Sequence, residues 1–198
     1  MRYRITLLAA VAAILFPLLI TANAQEKTSR RNAKPRGIDI ARAIADARAG
    51  RSKASFETLA RVQAAYDSGK GLPSDRRLTG TWNVTVPVDG GEFHALHTFG
   101  SDGTFVETSS LLATLTEGPA HGVWEHRRGG AVLTFELFAF DPDGNEVGRV
   151  RVRNAIQLID DDHFAADSVV DFIELDGTVI EGIASGPYTA VRMQVRGL

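Results

Sequence analysis

The chain of 198 residues is 44% hydrophobic and 23% charged, with a net charge of -2. That length gives one core-forming domain with chain to spare, and the composition is that of a folded protein. So weak a charge gives no footprint for nucleic acid as a partner, and the lack of cysteine excludes thiol catalysis, disulfides and a lipid anchor.

At the N-terminus, Arg2 and Arg4 precede an apolar run from Ile5 to Ile20, and Ala22-Asn23-Ala24 follows. This order predicts a secretory signal peptide over 1–24, cleaved after Ala24. The run is shorter than the roughly 20 residues that a spanning helix needs, so no stable membrane insertion is expected after cleavage. With no cysteine to form disulfides, the chain reads as a secreted or periplasmic bacterial protein.

Residues 25–37 are polar and basic, with Lys27, Arg30, Arg31, Lys34 and Arg36, and read as a disordered linker. A helical extension over 38–75 comes next. Its first helix is alanine-rich, Asp39 to Ala49, and stops at Gly50. The second runs from Ser55, a suitable N-cap, to Ser68, with Gly69 as its stop. Phe56, Leu59, Val62 and Tyr66 make one apolar stripe along it. The stripe predicts docking on the domain that follows, with a protein partner as the alternative.

Residues 76–198 have a different character. Short runs rich in Val, Thr, Phe and Ile alternate with turns such as Asp89-Gly90-Gly91, Arg128-Gly129-Gly130 and Asp141-Pro142-Asp143-Gly144. They predict strands near 80–87, 92–99, 104–112, 120–126, 131–140, 147–159, 163–174 and 178–195. A break at Gly186-Pro187 would raise the count from eight to nine. In 147–159, Val150, Val152, Ile156 and Leu158 share one face, while Arg149, Arg151, Arg153 and Gln157 share the other. One face is buried and one is wet. Strands of this kind joined by tight turns close into a barrel, because closure removes the edges. The expected fold is all-β, an eight-stranded antiparallel up-and-down barrel preceded by two short helices. Such a barrel is filled by side chains or holds one small ligand.

Gly80-Thr81-Trp82 at the start of the first strand, with Arg192 near the end of the last, resembles the calycin superfamily of lipocalins and their relatives. The resemblance spans roughly Leu78 to Val195. It implies that Trp82 plugs one barrel end and that Arg192 stacks across it, a favourable guanidinium–indole contact. The segment His121-Gly122-Val123-Trp124-Glu125 looks like secreted bacterial lipocalin-like proteins. No activity follows from that likeness.

Candidate chemistry is sparse. His94 and His97, three apart on a strand, point to opposite faces and cannot share a metal; His97 lies on the more apolar face and is the lumenal candidate. Asp141-x-Asp143-x-Asn145 lacks the glycine and glutamate of a calcium loop and reads as a turn. No metal site or cofactor is expected. Glu136 stands among Val132, Thr134, Phe138 and Phe140, but Leu133, Phe135 and Leu137 make the other face equally apolar, so its direction is open. Inward, it would be a buried carboxylate with a raised pKa. Asn154 interrupts the inward row of its strand, and Ser168 sits likewise among Phe164, Ala166, Val170 and Phe172. A buried amide needs a hydrogen-bond partner, from the protein, water or a ligand.

The sequence therefore predicts a carrier for a small, largely apolar molecule. Greasy lumen walls hold it, and His97, Asn154, Ser168 and Glu136 orient it. The alternatives are a barrel enzyme with an inward acid or base, and a filled barrel serving as a structural or interaction module.

Overall fold

The computed structural model describes residues 40–52, 54–69, 76–89, 91–111 and 117–196. The signal peptide and linker expected over 1–37 lie outside them. Helix α1 spans Ile40–Arg48 and α2 spans Phe56–Asp67. Ser55 caps α2, its hydroxyl accepting the Thr58 N–H, and so satisfies one of the free amides of the first turn. A short 3-10 turn, Arg76–Leu78, leads into the strands.

The strands are β1 (Gly80–Val88), β2 (Gly91–Phe99), β3 (Thr104–Ser109), β4 (Ala120–Arg127), β5 (Gly130–Phe140), β6 (Glu146–Leu158), β7 (His163–Ile173) and β8 (Val179–Arg192). Each pairs antiparallel with the next, and β8 pairs with β1, so the sheet is a closed eight-stranded barrel. The count is eight, not nine. Strand β8 runs through Gly186-Pro187 because Ser168↔Gly186 and Asp167↔Pro187 stay in register with β7.

Strand alternation sends Trp82, Phe99, Phe105, Leu133 and Phe164 inward, where each is essentially inaccessible to solvent. Part of the outer face of β5 to β8 is also dry, where α1 packs on β8 and α2 on all four strands. Val132, Val169, Ile173 and Ile183 are buried there. So is Asp171, whose carboxylate accepts two bonds from Arg153, at 2.8 and 2.9 Å, and one from the Gly182 N–H at 2.9 Å. A buried carboxylate survives only when its lone pairs are engaged in this way.

Gly182 sits at φ +61, beside the register shift between β7 and β8. A β-carbon there would meet Ala54 at 3.4 Å and Leu59 at 3.7 Å in ordinary contact. Glycine is required by the backbone turn, not by the approach of the helical segment.

Helix α2 docks through Val62, which is buried, and the half-buried Leu59 and Tyr66. The Tyr66 hydroxyl donates to the Leu133 carbonyl at 2.6 Å and lies 2.8 Å from Thr134 Oγ1. Arg61 clamps Asp167 on β7 at 2.7 and 3.1 Å. The expected stripe is corrected at one position: Phe56 is 85% exposed, and Thr58 is buried in its place. Phe56 lies six residues from Val62, about 120° around the helix, so it cannot share the docked face. The barrel itself takes up the other three stripe residues.

Candidate lumenal site

One end of the barrel is sealed. The Arg192 guanidinium lies 4.1 Å from the Trp82 ring centroid, and the Trp82 indole N–H donates to the Leu78 carbonyl at 2.9 Å. Arg192 also donates to the carbonyls of Thr79 at 2.9 Å, Asp161 at 2.7 Å and Arg77. One cation thereby covers the indole and ties together the chain before β1 and the turn before β7. Gly80, at φ +124, leaves room for it: a β-carbon there would sit 3.1 Å from the Arg192 guanidinium.

Above Trp82 the interior is filled with rings. Phe164 meets Trp82 edge-on at 4.8 Å, Phe99 contacts Phe164, Phe105 and Trp124, and Phe105 stacks on Phe135 at 5.2 Å.

The other half is lined differently. The inward positions of β6 and β7 there are Val150, Val152, Asn154, Ser168, Val170 and Phe172, and those of β8 are Ala184 and Gly186. Val150, Asn154, Val170 and Phe172 are buried, while Val152, Ser168, Ala184 and Gly186 are partly reached by solvent. A β-carbon built on Gly186 would meet nothing within 4 Å. Small side chains and a bare glycine leave space in the interior at this level.

Polar groups gather where the rings and this space meet. His97 is buried among Phe99, Phe105, Phe135 and Tyr188, at ring distances from 5.0 to 6.3 Å. Burial lowers its pKa to about 3, so the ring is neutral. Directly across the β2–β3 pair stands Glu107, also buried. Burial, with help from the nearby Glu117 carboxylate, lifts the Glu107 pKa to about 7. Glu117 is itself raised by burial, partly offset by a hydrogen bond from Ser109. Tyr188 is fully enclosed, and burial next to Glu107 keeps its hydroxyl protonated.

Three of these interior atoms have no protein partner: His97 Nδ1, the Tyr188 hydroxyl and Asn154 Oδ1. Asn154 is inaccessible and only its amide nitrogen is engaged, weakly, with the Leu133 carbonyl at 3.4 Å. The Ser168 hydroxyl donates to the Gly186 carbonyl at 2.9 Å, spanning the β7–β8 pair. A buried polar atom left unpaired costs about 1–3 kcal/mol, and here three point into one interior from β2, β6 and β8.

Glu136 is not part of this site. It lies on the outside of β5, where it accepts from Arg149 at 2.6 Å and Arg151 at 2.9 Å. The outward row of arginines on β6 supplies the partners that fix its direction. His94 is exposed on the face opposite His97. Asp141 spends its carboxylate on the Asp143 and Asn145 amides at 2.9 Å, closing the β5–β6 turn. Among the described residues no cluster of three His, Asp or Glu could hold a metal ion.

Glu107, Glu117 and Tyr188 carry much of the site, and sequence reasoning passed over them. A signal existed for the first: Phe105, Glu107 and Ser109 alternate against Thr104, Val106 and Thr108. Phe105 alone is large enough to set the register, and it puts Glu107 inside.

The fold and lumen define the protein as a closed eight-stranded barrel with one sealed end. No family model matches the chain, and no curated protein is significantly similar to it. Among solved structures, pallilysin from Treponema pallidum is similar at 13% identity, over 71% of this chain and 99% of that one, with a TM-score of 0.32. That level of similarity transfers no residue role.

Proposed function

We propose that the protein is an exported, calycin-like carrier that holds one small, largely apolar molecule in the barrel interior beside Gly186. The observation that carries this reading is the division of the interior. Rings close the Trp82 end, while Val152 and Ala184 are partly reached by solvent, Gly186 faces open space, and three polar atoms of the interior are unpaired. A barrel folded only for stability gains nothing from that arrangement, since each unpaired group costs free energy. His97, Asn154 and Ser168 orient the guest from the wall. The Gly80-Thr81-Trp82 and Arg192 closure supports kinship with the calycins, and the N-terminal sequence supports export.

A second reading, an acid–base catalyst, draws on Glu107 facing His97. A carboxyl that titrates near neutrality can both give and take a proton. Native mass spectrometry of the protein purified from its own host tests the carrier reading. A single small molecule retained at one per chain supports it. An empty protein that also turns over small esters or epoxides would favour the catalyst.

A further inference from the structure

The charge of the interior narrows the class of ligand. The inward positions follow from the strand registers. Above the closed end they include Glu107, and Glu117 reaches the same region ahead of β4. None of the described inward positions there holds a Lys or Arg; Arg192 is inward only at the sealed end. His97 faces Glu107 from β2, Ala120 faces it from β4, and Tyr188 approaches from β8. A carboxylate or phosphate guest would find two acids and no countercharge. Such a guest would be repelled.

The unpaired atoms point the same way. Asn154 Oδ1 is an acceptor, a phenol oxygen can accept, and a neutral imidazole nitrogen accepts when its partner nitrogen carries the proton. With Glu107 and Glu117, the wall is rich in acceptors. An alkylammonium group is the complement: three donors, no acceptor and a positive charge. The rings of Phe105, Phe135 and Tyr188 around His97 add an aromatic surround of the kind that cations favour.

We propose that the guest is an amine, an apolar chain or ring ending in an ammonium group held by Glu107 and Glu117 against the rings of His97, Phe105 and Tyr188. The inference rests on the carrier reading and adds the chemistry of the ligand's polar end. On binding, Glu107 gives its proton to solvent and becomes the carboxylate partner of the ammonium. Near pH 7 binding therefore releases protons.

The test is calorimetric titration of the intact protein at pH 7 with 3-phenylpropylamine, 3-phenylpropanol and 3-phenylpropanoate, in two buffers of different ionisation enthalpy. The amine should bind about tenfold or more tightly than the alcohol, the scale of one charge-assisted hydrogen bond. The propanoate should bind weakest, and only the amine should release protons. Glu107→Gln should bring the amine down to the affinity of the alcohol and leave the alcohol unchanged. Glu117→Gln, at a half-buried position, should narrow the same gap independently. If the alcohol binds as well as the amine, or Glu107→Gln keeps the preference, the ammonium proposal falls and the carrier reading stands. If none of the three binds, the carrier reading falls as well.

Discussion

Replacing Glu107 by Gln should make the protein more stable, and only above a definite pH. In the fold, burial and the neighbouring Glu117 lift this carboxyl from its ordinary 4.5 to about 7. Below pH 4.5 the folded and unfolded chains both hold the proton, and the group has no net effect. Between pH 4.5 and 7 the unfolded chain ionises it while the folded chain keeps it neutral. Stability is therefore lost as pH rises through this window. At about 1.4 kcal/mol per pH unit, the full loss above pH 7 is about 3 kcal/mol. Gln has nearly the same shape and no charge at any pH, so it escapes the loss. Urea denaturation of both proteins at pH 4, 6 and 8 measures the difference, provided the slope with urea stays constant. The curves should nearly coincide at pH 4, and the variant should lead by up to about 3 kcal/mol at pH 8. Parallel pH profiles would refute the argument, because they would mean that Glu107 is solvated in the fold.

His97 titrates in the opposite sense. Its folded pKa of about 3 means that stability present above pH 6.5 is lost as pH falls toward 3. His97→Phe should flatten that acid limb, as followed by thermal melts from pH 7 down to pH 4. Trp82→Ala should cost roughly 3–5 kcal/mol, and Arg192→Ala less. Because the two groups touch, a double-mutant cycle should return a coupling of about 0.5–2 kcal/mol, and strict additivity would deny the contact. Val62→Ala should cost about 2 kcal/mol by emptying the docked face of α2. Phe56→Ser, by contrast, should stay within about 0.5 kcal/mol, and a large loss there would show that the exposed ring is packed after all.

The parts of the fold legible in the sequence are those where one face differs sharply from the other. Strand β6 alternates aliphatic residues with arginines, so its register and the inward position of Asn154 could be read directly. Strand β5 could not be oriented, because both of its faces are apolar. The structure supplies the reason: α2 covers the outside of β5, with Tyr66 bonded to Leu133 and Thr134, so Val132 is as dry as Leu133. Glu136 followed that ambiguity. On β8, Gly186-Pro187 resembles a strand break, but backbone pairing to β7 outweighs the local turn chemistry. The polar half of the site was harder still. Glu107, Glu117 and Tyr188 come from β3, the chain before β4, and β8, and only barrel closure brings them together. No spacing along one chain segment encodes that meeting.

The central claim is that the interior beside Gly186 has room for a guest. The uncharged dye N-phenyl-1-naphthylamine tests it most directly, together with a variant that fills this space. Gly186 faces inward over open space, so Gly186→Leu should occupy it while leaving the circular dichroism spectrum and melting temperature essentially unchanged. The parent protein should take up one dye per chain, with a rise in fluorescence as the dye leaves water, and Gly186→Leu should take up none. Dye uptake that is absent from the parent, or that survives unchanged in a folded Gly186→Leu protein, would contradict the account.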